Sequence, residues 1–134
     1  MISSIVFNVC LFCMWLFVAV YPPLHKIFRK RKTYNKFLIT SILLPIISIL
    51  TYNKTDEVYS KNIFFGSFFF LIFMLLYRYF DNYILRKYKR NLILSIRFND
   101  FWQDEESNQQ TSIELLFQLL LLGIPTFYML LVVY

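Results

Sequence analysis

The sequence predicts an all-α polytopic membrane protein: four transmembrane helices in a single domain over residues 1–134, with the N- and C-termini both outside. Three observations carry that prediction. Hydrophobic residues make up 58% of the chain and aromatics 21%, too apolar for an ordinary soluble domain. Four apolar runs, about 2–20, 37–52, 63–80 and 113–134, approach the roughly 20 residues that a spanning helix needs. Finally, twelve of the fourteen Lys and Arg fall in two blocks, Lys26–Lys36 and Arg78–Arg97, each between apolar runs. Cations are retained on the cytoplasmic or matrix side, so each block marks an inside loop.

The first span, Ile2–Val20, ends at Pro22 and Pro23, and a residue before proline is pushed out of the α region. Charge follows this run rather than preceding it, so it reads as a retained span with an outside N-terminus and not as a cleaved leader. Asn8 lies within it and needs a hydrogen-bond partner on another helix. Cys10 and Cys13 form a C-x-x-C pair. Zinc wants four ligands and the only histidine, His25, lies beyond the run, so the two thiols read as small buried hydrophobes. Lys26, Arg29, Lys30, Arg31, Lys32 and Lys36 then form the block that sets the topology.

The second span, Phe37–Tyr52, carries Pro45, which strips the Ser41 carbonyl of its helical donor. The hydroxyls of Thr40 and Ser41, or a neighbouring helix, are the candidates to relieve it. Residues 53–62 balance Lys54 and Lys61 against Asp56 and Glu57, as an outside loop should. The third span begins near Ile63 and continues into solvent as far as Arg90. Arg78 and Asp81 are one turn apart. They read either as inner-interface residues within a Tyr77/Tyr79/Tyr83 belt or as an intramembrane ion pair.

Residues 91–102 show a period nearer two than 3.6, which predicts a partly buried interfacial segment anchored by Phe101 and Trp102. Asp104–Gln110 is a solvated inside loop. Thr111 and Glu114 have capping-box spacing and start the last span, in which Gln118 is buried one turn in and Gly123 with Pro125 predicts a bend. With two glycines and one alanine in the chain, no small-xxx-small motif is present, so bulky side chains must mesh.

No motif of a hydrolase, zinc enzyme or phosphate-binding loop occurs, and no charge falls mid-span as a transporter would show. A channel would need a polar stripe that is missing here. The sequence therefore predicts no enzyme, no cofactor, no metal site and no nucleic-acid partner, the cations facing lipid headgroups first. Basic sequence after a span, then Asp100-Phe101-Trp102, a polar loop and a last span with Gly123-Ile124-Pro125, resembles the immunity proteins of pore-forming colicins over the last third of the chain. That resemblance implies a bacterial inner-membrane protein that blocks a toxin's inserted hairpin by helix contact. Asn8, Gln118, Pro125, Asp100 and Trp102 are then the candidate partner contacts. Composition leaves a second reading open: an accessory subunit of a larger membrane complex, including one of the mitochondrial inner membrane.

Overall fold

A computed structural model describes Val9, Cys13 and residues 22–52, 57–95 and 107–133. Among these, a 3-10 helix, Pro22–Arg29, leads into α1 (Arg31–Leu50), followed by α2 (Glu57–Tyr88), a short turn at Ser107–Gln109 and α3 (Ser112–Val133). There is no strand among the described residues. Among the described residues three helices are long and apolar enough to cross a membrane: Arg31–Leu50, Ser60–Tyr88 and Ser112–Val132. The expectation of four transmembrane helices is therefore corrected to three. Apart from Val9 and Cys13 the predicted span at 2–20 lies outside the described residues, Asn8 and Cys10 included.

The boundaries shift for identifiable reasons. α1 starts at Arg31 rather than Phe37, because Arg, Lys and Tyr are adequate helix formers and nothing before Phe37 breaks the helix. α2 starts at Glu57, where an acidic first turn suits the positive end of the helix dipole and Glu57 pairs with Lys61 at 2.5 Å. It ends at Tyr88, and Lys89 takes a left-handed conformation with φ 57, the usual way a helix stops, here without glycine. α3 starts at Ser112 behind Thr111, as the capping box predicts.

α2 lies between the other two helices and supplies the largest share of the core: Phe69, Phe73, Met74, Tyr77, Phe80 and Ile84 are buried along one stripe. Against α3 the meshing is by bulky rings, with Phe80 stacked on Phe117 at 4.2 Å and Tyr83 edge-on to the same ring. Against α1 it is different. α1 buries Tyr34, Ser41, Pro45 and Ser48, and leaves Ile39, Ile42, Ile46 and Ile49 exposed. The expectation that bulky side chains must mesh does not describe this face: two serines and a proline are buried there, while the bulky isoleucines face outward. The hydroxyls of Thr40 and Ser41 bond the carbonyls of Lys36 and Leu38, so neither replaces the donor lost at Pro45.

The helices run antiparallel, and this brings the two basic blocks to one end. Phe28 packs edge-on against Tyr77 at 5.3 Å, and the Tyr34 hydroxyl donates to the Met74 carbonyl at 2.9 Å. The Arg78 guanidinium sits 5.3 Å from the centre of the Tyr34 ring.

Candidate functional site

The chemistry of the described chain is concentrated at that basic end, around residues 90–95. This stretch leaves the helix at Lys89 and runs without regular structure, yet Leu92, Ile93, Leu94 and Ser95 are all buried. A buried backbone outside a helix or sheet must find partners for each N–H and C=O, and inside a bilayer protein those partners have to be protein groups. They are side chains from both flanking helices.

Asp81, at 3% exposure on α2, accepts from the Leu92 N–H at 2.8 Å and, at longer range, from the Asn91 amide. Glu114, fully buried on α3, accepts from the Ile93 N–H at 3.0 Å. Gln118, one turn later, accepts from the Ser95 N–H at 3.2 Å. The carbonyls are met too. The Gln110 amide donates to the Ile93 carbonyl at 3.2 Å and to the Gln118 oxygen at 2.9 Å. The Arg29 guanidinium, from the first basic block, donates to the Leu92 carbonyl at 3.2 Å.

Glu114 is the hub. Arg90 meets its carboxylate in a two-pronged pair at 2.5 and 2.9 Å, while the Thr111 N–H and hydroxyl donate at 2.8 and 3.0 Å. One carboxylate thus caps α3, neutralises an arginine and holds the extended segment. Arg90 also donates to the Gln109 carbonyl, which ties down the turn before α3. Removing one partner of a pair this buried leaves an uncompensated charge, at a cost of about 3–5 kcal/mol.

Among the described residues no three His, Cys, Asp or Glu side chains gather where they could hold a metal ion. The carboxylates are committed to backbone N–H groups and to Arg90, so neither is presented to a substrate. What the network can do is fix an extended strand between α2 and α3.

The candidates from the sequence fall out unevenly. Gln118 is buried and points into the network, where it holds Ser95 and Gln110. Pro125 is buried on α3 away from the network. Asn8, Asp100 and Trp102 lie outside the described residues. Arg78 and Asp81 are not ion-paired: Arg78 lies over Tyr34 and Asp81 turns to Leu92. Of the topology residues, Lys30, Arg31, Lys32 and Lys36 are exposed, while Lys26 and Arg29 are half-buried. Asp81, Arg90, Gln110 and Glu114 as holders of residues 91–95 escaped the sequence reading. The signal was present, since a period-two run with no second strand to pair with must satisfy its backbone from side chains.

A second feature lies on α3 toward the other end. Leu119, Leu122, Gly123, Thr126, Phe127 and Leu130 line a shallow apolar groove of about 320 Å³, and a Cβ at Gly123 would meet nothing within 4 Å. The chain matches no protein-family model, and neither a characterised protein nor a solved structure shows detectable similarity to it.

Proposed function

We propose that this chain is a non-enzymatic inner-membrane protein that acts by helix contact within the bilayer, blocking the pore of a membrane-inserted bacteriocin. One observation supports the contact mechanism above all. Asp81, Glu114, Gln110 and Gln118 are turned inward onto the chain's own backbone, while the outer faces of α1 and α3 carry bulky apolar side chains. Such a surface suits lateral recognition of another helix and offers nothing to a soluble substrate. Within this reading the contact falls on the α3 groove around Gly123 and Phe127, beside buried Pro125 and in the part of the chain that carries the resemblance to colicin immunity proteins.

The test is protection. Cells expressing the chain, challenged with a panel of pore-forming bacteriocins, should survive one and die with the others. Gly123→Phe, which fills the groove, should abolish that survival without lowering the amount of protein in the membrane. Survival of none of the panel would overturn the bacteriocin reading. Stoichiometric co-purification with a larger complex in mild detergent would replace it with the accessory-subunit reading, which uses the same outer surface and a different partner.

A further inference from the structure

We propose that Arg78 is a docking residue for a carboxylate carried within the membrane-embedded helix of a partner protein, received on the lateral face of α2 beside α1. Asp81 has the right spacing to pair with Arg78, yet it accepts from the Leu92 N–H instead. Arg78 is half-buried and has no ion pair or hydrogen bond among the described residues. Its guanidinium rests on the Tyr34 ring, 5.3 Å from the ring centre. A planar cation with one face on a ring keeps its N–H edge for a planar, two-pronged acceptor, and a carboxylate is that acceptor.

Depth and direction argue for a protein carboxylate over a lipid phosphate. Asp81 and Glu114 hold the adjacent N–H groups of Leu92 and Ile93, so they stand at one level, the first turn of α3. α3 has 22 residues. At 1.5 Å each it extends about 33 Å, close to the hydrocarbon thickness of about 30 Å. That level therefore marks the hydrocarbon boundary at the basic end, and Arg78 lies about 4.5 Å inward of it along α2. Side chains lean toward the N-terminus of their helix, and the N-terminus of α2 is at the opposite end from the basic block. The Tyr34 hydroxyl, bonded to the Met74 carbonyl at 2.9 Å, fixes the ring against α2 one turn before Arg78. To extend toward a headgroup, Arg78 has to leave that ring. An ionisable side chain held at such a depth pairs with another protein group. Leu75 and Tyr79, both exposed, flank Arg78 on a face that a second helix can reach.

The probes are two synthetic apolar helices long enough to span a bilayer, alike except for one residue about a turn from one end, Glu in the first and Gln in the second. Their association with the full chain in phosphatidylcholine vesicles is read by fluorescence energy transfer. The Glu helix should associate about tenfold more tightly than the Gln helix. Arg78→Gln should remove that difference and still bind the Gln helix as the unaltered chain does, which shows that the variant is folded. Arg78→Lys, which keeps the charge and loses the planar edge, should retain part of the preference and carries the test should Arg78→Gln not fold. Equal association of the two helices, or a Glu preference that survives Arg78→Gln, would overturn the proposal. Loss of the preference when phosphatidylglycerol replaces part of the lipid would also overturn it, assigning Arg78 to lipid phosphate. So would a stronger preference after Asp100, Asp104, Glu105 and Glu106, which lie outside the described residues, are changed to Asn and Gln, since Arg78 would then have an acceptor in its own chain. No bacteriocin enters the experiment, so this proposal and the preceding one fail separately.

Discussion

The two ends of this helical bundle are built on different principles. At the basic end, the chain leaves helical geometry inside the protein, and a network of Asp81, Arg90, Gln110, Glu114 and Gln118 takes over the backbone's hydrogen bonds. At the other end the helices continue past one another with little polar contact. There the Tyr128 hydroxyl donates to the Phe65 carbonyl at 2.6 Å. Packing of the Ser41–Pro45–Ser48 face of α1 does the remaining work. The contrast teaches that polar side chains sit where the backbone needs them, and that apolar contact suffices where the helix is unbroken.

Four substitutions would break or sharpen this contrast. Glu114→Ala should have the largest effect, a loss of about 3–5 kcal/mol, since it takes the carboxylate from half-buried Arg90 and the acceptor from the buried Ile93 N–H. Unfolding of the purified protein in detergent against a denaturant series checks it. A loss below about 1 kcal/mol would mean the network is not load-sharing. Asp81→Ala comes next at about 1–3 kcal/mol, the cost of an unsatisfied Leu92 N–H. Combined with Glu114→Ala it should fall short of the sum, because both hold the same segment. Tyr34→Phe removes the bond to the Met74 carbonyl and should cost about 0.5–1.5 kcal/mol. Equal losses from Tyr34→Phe and Glu114→Ala would mean that Glu114 carries no more than a single buried hydrogen bond.

The smallest effect belongs to the exposed Glu57–Lys61 pair. The Lys61 ammonium, through a hydrogen bond and its charge, holds the Glu57 carboxyl below the usual carboxylate range. A lowered folded-state value means that any stabilisation is present at neutral pH and fades as pH falls through that value. Both side chains are solvated, so Lys61→Gln should leave the thermal midpoint unchanged within error at pH 7 and reduce its small acid dependence.

Much of the frame could be read from the residues alone. The apolar runs located α1, α2 and α3 because burial in lipid needs a long uncharged stretch, and Thr111 with Glu114 marked the start of α3 to within a residue. The ends of α1 and α2 were less legible. Charged and polar residues continue a helix into the headgroup layer as readily as they end a span, so hydropathy set the start of α1 at Phe37 and not Arg31 and that of α2 near Ile63 and not Glu57, while α2 read on to Arg90 ends at Tyr88. The network was hidden for another reason. Arg90, Leu92 and Glu114 are separated by the loop that precedes α3, and which carboxylate meets which N–H depends on how α2 and α3 pack. Arg78 and Asp81 show the converse: correct spacing for a pair, with each drawn instead to a partner on a different element.

The account rests on residues 91–95 being held inside the bundle by side chains of α2 and α3, and amide hydrogen exchange tests this most directly. In a lipid nanodisc, the Leu92, Ile93 and Ser95 amides should exchange as slowly as those in the middle of α2, and Glu114→Ala should release them while the centre of α2 stays protected. Fast exchange of those three amides in the unaltered protein would contradict it.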